Sequence, residues 1–242
     1  MLILGIESAT ARVACALADN DGVMAATEVT GGRRHAETLA PAIEFTCAQA
    51  GVTLSDLASV AVDIGPGLFT GLRVGIATAK ALAQALRVPM IGLSSLDLLA
   101  FPARFSVRRI GAVVDARRGE LFYAWYRQVP GGVQRLDEPQ AASPEDLCSD
   151  LLATGEECLL VGDGAVRYRD KLAAVDHVEV EGSGLAHPSA SSLVELAHAL
   201  AMREEWVQPE HIAPLYLRKP DAEINWSTRE SAGRLPPAAG EV

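Results

Sequence analysis

The feature that most limits how this chain can fold is a repeat, not of residues but of the order of its apolar runs. Residues 2–6, 12–18 and 23–28 are short apolar stretches separated by turns, the second turn being Asp19-Asn20-Asp21-Gly22. They predict three strands of an antiparallel meander. The period then changes, because 35–50 sets Leu39, Ile43, Thr46, Cys47 and Ala50 on one helical face. A strand at 59–64, a helix at 71–86, a strand at 89–93 and a short helix at 94–100 complete the order βββαβαβα. The second half reads the same way. Strands are expected at 110–115, 121–127 and 133–136, then a helix opened by Ser143 as N-cap and Pro144 at its first position, running to about 153. A strand at 158–161, a weak helix at 166–174, a strand at 177–180 and a strong helix at 190–205 follow.

A three-strand meander followed by two crossovers, twice over, is an α/β plan with mixed sheets. It is the plan of the actin-like and Hsp70-like ATPase fold and of sugar kinases, in which two ribonuclease-H-like subdomains face each other across a cleft. The expected division is 1–104, 105–219 with its last segment packing back on the first half, and a polar Pro/Gly/Ala-rich tail at 220–242, expected to be disordered, whose Trp226 can dock. Apolar residues make up 49% of the chain, enough for a core in each half. The net charge is −10, the wrong sign for a chain that grips nucleic acid unaided. The charge is uneven: 1–104 holds 7 basic and 9 acidic residues, and 105–242 holds 14 and 22. No apolar run approaches the ~18 residues of a membrane span. Cys15, Cys47, Cys148 and Cys158 form no CxxC pair and read as reduced thiols of a cytoplasmic protein. His35, His177, His187, His198 and His211 form no metal-binding pattern, so no metal and no cofactor is expected.

The most distinctive motif is Gly65-Pro66-Gly67-Leu68-Phe69-Thr70-Gly71-Leu72-Arg73-Val74-Gly75, between a strand and a helix. It stands where a phosphate loop would, yet it lacks both the Gly-Lys-Ser/Thr of a Walker loop and the spacing of the dinucleotide fingerprint. One reading is a tight turn with Thr70 as N-cap and Gly75 allowing close helix packing; the other is a ligand contact. The helix that follows is apolar on two sides. Leu72, Gly75, Ile76, Ala79, Leu82, Ala83 and Leu86 form a core stripe, while Val74, Ala77, Thr78, Ala81 and Ala85 occupy the side where charges belong. Either a neighbouring helix of the same domain covers that side, or a protein partner does. Phe45, flanked by Ala42 and Ala48 and well off the stripe of its own helix, extends the uncharged surface.

Glu7-Ser8-Ala9-Thr10 lies at the first strand-to-turn junction, where actin-like enzymes carry an Asp-x-Gly-x-Thr phosphate loop, and Asp115 lies at the corresponding place in the second half. Two acids facing a cleft suit phosphoryl transfer, but Ala9 fills the glycine position. Gly162-Asp163-Gly164 reads either as a nucleotide-base loop or as a plain turn. His35 reads as a capping or surface residue rather than a ligand. No GxSxG and no electropositive cysteine site occurs, so no catalytic residue is assigned.

The stretch 5–99 resembles the TsaB (YeaZ) family, the dimerisation subunits of the bacterial complex that makes threonylcarbamoyladenosine in tRNA. The resemblance rests on Glu7-Ser8-Ala9-Thr10, Arg34-His35-Ala36-Glu37-Thr38-Leu39-Ala40-Pro41, the run from Gly65 to Gly75, Ala77-Thr78-Ala79-Lys80-Ala81-Leu82-Ala83 and Gly92-Leu93-Ser94-Ser95-Leu96. Asp115-Ala116-Arg117-Arg118-Gly119-Glu120-Leu121 and Pro214-Leu215-Tyr216-Leu217-Arg218 extend it more weakly. The family's first loop usually opens Asp-Thr-Ser-Thr, and its Gly-Pro-Gly usually continues with Ser, where this chain has Leu68. The resemblance implies a non-catalytic subunit that pairs with a TsaD-like catalytic subunit, and with a TsaE-like ATPase in a larger assembly. That assembly transfers threonylcarbamoyl to adenosine 37 of tRNAs reading A-starting codons, and the tRNA is reached only through the partner. It implies docking by Leu39, Ala42, Phe45, Val74, Ala77, Thr78, Ala81 and Ala85, the same helices serving for a homodimer, and a vestigial nucleotide cleft at Glu7, Ser8, Thr10, Asp115, Gly162 and Gly164. The alternative is an active actin-like ATPase or kinase using Glu7 and Asp115 with Mg-ATP.

Overall fold

The computed structural model describes residues 1–31 and 34–217; the expected tail and Trp226 lie outside them. The first half opens with β1 (Ile3–Glu7), β2 (Arg12–Asp19) and β3 (Gly22–Thr30). After α1 (His35–Ala50) come β4 (Ser59–Gly65), α2 (Phe69–Leu86), β5 (Met90–Ser94) and α3 (Ser95–Ala100). The sheet order is β3-β2-β1-β4-β5, antiparallel through the meander and parallel from β1 to β5. The second half builds β6 (Arg109–Arg117), β7 (Glu120–Val129), β8 (Gly132–Arg135), β9 (Gln140–Ala142), α4 (Pro144–Thr154), β10 (Cys158–Val161) and β11 (Val178–Val180). Its order, β11-β10-β6-β7-β8, is the same connectivity, and the repeated plan is that of the actin-like fold.

Strands β1 and β4 are buried on both faces, which is why their 3–6 and 60–62 stretches are continuous apolar runs rather than alternating ones. One face of the first sheet carries α1 and α2, with Leu39, Ile43 and Cys47 meeting Ile76, Ala79 and Ala83 over Leu4, Ile6 and Val62. The other face carries α7 (Ala190–Ala201), the last helix of the chain's second half. Ala14, Ala16, Ala18 and Ala61 leave a shallow bed for Leu193 and Val194. A Cβ on Gly5 would stand 2.6 Å from Val194, so the approach needs glycine there. Conversely, α3 from the first half lies on the second sheet, where Leu96, Leu99 and Ala100 meet Ile110, Ala112 and Val114.

Three expectations are corrected. The single helix at 166–174 is two short ones, α5 (Asp163–Arg167) and α6 (Arg169–Leu172), because Tyr168 leaves the helical region at φ −107°. The helix expected to reach 205 stops at Ala201, where the backbone turns back and Glu204 takes φ +59°. Strand β9 was not expected; three residues without an apolar alternation pair with Leu121–Tyr123 of β7. Ser143 caps α4 as its sequence predicts, exchanging hydrogen bonds with Asp146 in a capping box.

Candidate functional site

The Gly65–Gly75 run and the loop after β1 are packed into each other. The Leu68 N–H donates to Ala9 O at 2.7 Å, and Ser8 Oγ donates to Gly71 O at 2.9 Å. A Cβ on Gly67 would lie 2.3 Å from Ala9 O, one on Gly71 2.1 Å from Ser8 O, and one on Gly75 2.2 Å from Ser8 Oγ. In a phosphate loop such glycines admit the ligand; here they admit the chain's own backbone. His35 is buried, with Nε2 2.8 Å from Thr10 O, so it fastens this loop to the start of α1 instead of standing at the surface. Thr70 is not the N-cap of α2. The helix begins at Phe69, and the cap position is Leu68, whose side chain cannot accept a hydrogen bond.

The acids are arranged differently from the expected pair. Glu7 ends β1 and Asp63 lies two residues before the end of β4, in a parallel register that runs Ile6 beside Val62. Glu7 Oε1 accepts from the Ala9 N–H at 2.7 Å, and Asp63 Oδ1 accepts from the Gly65 N–H and from Ser95 Oγ, both at 2.7 Å. Glu7 Oε2 and Asp63 Oδ2 are buried with no hydrogen-bond partner. Burial, and for Glu7 the nearby Asp63 carboxyl, hold the Glu7 proton well above the usual carboxylate range; burial pushes Asp63 up to about 7. Asp115 is committed elsewhere. Its Oδ2 accepts from Arg117 at 2.9 Å and from Arg167 at 3.0 Å, and its Oδ1 from the Arg117 N–H.

The remaining cleft candidates are filled from within. Ser8 and Thr10 are buried in the loop packing. Gly162, at φ +108°, has no room for a Cβ, which would lie 2.1 Å from Val113 O, and one on Gly164 would lie 2.9 Å from Val114 C. Both press the turn onto β6, and Asp163 Oδ1 accepts the Asp115 N–H at 2.9 Å. Glu7, Ser8, Thr10, Asp115, Gly162 and Gly164 therefore lie in closely packed backbone rather than around an open phosphate cradle. No group of three or more His, Cys, Asp or Glu suited to a metal occurs among the described residues.

The outward faces of α1 and α2 lie side by side on the first sheet. Phe45 is 56% exposed, Ala77, Ala81 and Ala85 are exposed, and Val74 and Thr78 are half-buried. Leu39 and Ala42 do not belong to this face. They are 1% and 5% exposed and sit in the core, because their positions share the stripe of Ile43 and Thr46. The sequence reading also missed a cluster at the head of α2. Arg73 lies 3.9 Å over the Phe69 ring, Tyr216 stacks on that ring at 5.6 Å, and Arg73 Nε donates to Tyr216 Oη. Tyr216 arrives there because the segment after α7 runs back along the first sheet, bridging Met90 at Val207 and donating from Leu215 N to Ile64 O.

A family model described as TsaD, tRNA N6-adenosine threonylcarbamoyltransferase, matches residues 27–226. The chain is 31% identical over 221 residues to the tRNA threonylcarbamoyladenosine biosynthesis protein TsaB of Escherichia coli, covering 90% of this chain and 95% of that protein. The chain belongs to the TsaB family. A TsaB of Bacillus subtilis is 28% identical over 93% of this chain and 98% of its own length. The solved structure of YeaZ from Pseudomonas aeruginosa superposes with a TM-score of 0.79 at 28% identity, over 89% of this chain and 99% of that one. Within the TsaB frame, Ala9 and Leu68 are the two ends of one backbone hydrogen bond, so neither position is asked to supply a polar side chain. No helix among the described residues is long and apolar enough to cross a membrane.

Proposed function

We propose that this chain is a non-catalytic scaffold of a cytoplasmic tRNA-modifying assembly, activating a TsaD-like transferase by docking through the outer faces of α1 and α2, with a TsaE-like ATPase joining the larger complex. The observation that carries the reading is the pair of outer faces. Phe45, Ala77, Ala81 and Ala85 are exposed, small or aromatic, and uncharged, so a partner's helices can approach closely and bury them. The contact set is Phe45, Val74, Ala77, Thr78, Ala81 and Ala85, and a second copy of the chain uses the same faces when the transferase is absent. The alternative of an ATPase or kinase working through Glu7 and Asp115 is less favoured by the geometry. Glu7 is enclosed with Asp63, and Asp115 is held by two arginines.

The test is reconstitution of threonylcarbamoyl transfer to tRNA with the TsaD-like subunit, with and without this chain. The transferase is expected to need the chain, and Glu7→Gln, which keeps the acceptor for the Ala9 N–H, is expected to support the same turnover. A Glu7→Gln chain that binds the partner normally but leaves the assembly inactive would refute the non-catalytic reading.

A further inference from the structure

The six residues of the docking strip expose too little surface to hold a partner by themselves. Phe45 is 56% exposed, but the rest are three exposed alanines and the half-buried Val74 and Thr78. Together they offer roughly 400 Å², where a stable interface covers about 800 Å² on each side, so the contact has to continue beyond them. The ridge of α2 shows where. From Ala85 through Ala81 and Ala77 it runs, at a spacing of four, to Arg73 and then to Phe69 at the head of the helix. Phe69 and Tyr216 extend the exposed surface there, at 40% and 39%.

This end of the ridge is built as an anchor. The Arg73 guanidinium lies 3.9 Å over the Phe69 ring, Phe69 stacks on Tyr216, and Arg73 Nε donates to Tyr216 Oη at 3.2 Å. Tyr216 is fixed in turn by the Leu215 N–H, which donates to Ile64 O at 2.7 Å. Ring face and Nε are thereby used, and the two terminal nitrogens remain. Among the described residues no carboxylate forms a salt bridge with Arg73, whereas Arg12, Arg127 and Arg135 each meet one. Glu37, exposed at the head of α1, makes no such pair. The first turn of α2 carries no acidic residue, so the positive end of the helix adds to the charge of Arg73. A fixed fork at the end of an uncharged ridge matches a carboxylate, which accepts two parallel N–H bonds.

We propose that Arg73, held by Phe69 and Tyr216, takes an aspartate or glutamate side chain of the TsaD-like subunit and so sets the register of the partner along α1 and α2. This rests on the docking reading and adds to it the chemistry of the partner, an apolar helical surface closed at one end by a carboxylate. Alanine ridges slide past one another in several registers, and one desolvated ion pair selects among them.

The test is isothermal titration of the TsaD-like subunit into the full chain, with the Tm of each variant checked first. Arg73→Gln is expected to weaken binding about 30-fold, and Arg73→Glu at least ~100-fold. Arg73→Lys, which keeps the charge but loses the fork, is expected to fall between wild type and Arg73→Gln. Tyr216→Phe keeps the stack but frees Nε, and is expected to cost about 3-fold. Among single Asp→Lys and Glu→Lys substitutions in the transferase, one is expected to restore binding to the Arg73→Glu chain while weakening binding to wild type. A merely structural role for Arg73 gives no such exchange. Wild-type affinity in a folded Arg73→Glu chain, with Ala81→Arg still abolishing binding, would overturn the proposal and leave the docking reading standing. If neither substitution weakens binding, the docking reading falls too. A loss confined to self-association of the free chain, read by sizing, would assign the fork to the exposed Glu37 or Glu44 of a second copy and would equally overturn the proposal.

Discussion

Replacing Asp63 by Asn tests the buried acid pair, the least expected part of the site. In the fold, burial holds the Asp63 proton up to about pH 7, whereas the unfolded chain releases it near 3.8. A raised carboxyl contributes stability that is complete below the unfolded value and is lost as pH rises through the folded one. At ~1.4 kcal/mol per pH unit, the fold loses roughly 4 kcal/mol between those limits, of which roughly 3 kcal/mol falls between pH 5 and pH 8. Asn cannot ionise, and its amide places a donor where Oδ2 has no partner. The carbonyl still accepts from the Gly65 N–H and Ser95 Oγ. Asp63→Asn should therefore gain on the wild type by roughly 3 kcal/mol from pH 5 to pH 8, or ~6–10 °C in Tm for a chain of this size. Differential scanning calorimetry of both proteins at pH 5, 6, 7 and 8 measures it. A Tm difference that is constant across the series, or that shrinks as pH rises, would refute the assignment of a protonated acid at neutral pH.

Other perturbations follow from the same packing. Gly71→Ala puts a methyl group 2.1 Å from Ser8 O, so backbone must move and the chain should lose about 3 kcal/mol in a urea titration, with Gly75→Ala similar. His35→Ala removes the contact to Thr10 O and leaves that buried carbonyl unpaired, which should cost about 1–2 kcal/mol and speed hydrogen exchange in the 8–12 segment. Val194→Ala, in the fully buried seat of α7, should cost ~2 kcal/mol and expose the alanine-rich face of the first sheet to a hydrophobic dye.

The repeated topology was legible because period and length separate these elements well. Central strands buried on both faces are continuous apolar runs, and α1 and α2 carry a clear stripe. The cross-packing was not legible in detail: an alanine-rich strand face accepts any helix, and only the three-dimensional path shows that α7 lies on the first sheet and α3 on the second. The glycines of the 65–75 run read as a ligand contact or a turn, yet Gly67, Gly71 and Gly75 each clear an atom of Ser8 or Ala9, far away in the chain on another loop, while Gly65 meets Leu72 and Leu215. Glu7 was matched with Asp115 by analogy between the halves. Its neighbour is Asp63, because parallel register, not internal symmetry, decides which strand ends meet. The docking set implied by the family resemblance includes Leu39 and Ala42, yet Leu39 already belongs to the core stripe of α1, and the burial of both shows how narrow the outer face is.

The central claim is that the exposed strip of α1 and α2 is where a transferase subunit docks. Isothermal titration of the TsaD-like subunit into the chain, comparing wild type with Ala81→Arg, tests it most directly. Ala81 is exposed in the free chain, so the arginine leaves the fold and its Tm unchanged. In a packed helix interface the same side chain is a bulky, unpaired charge, so affinity should fall at least ~100-fold. Equal affinity for the two proteins, with both folded, would contradict the account.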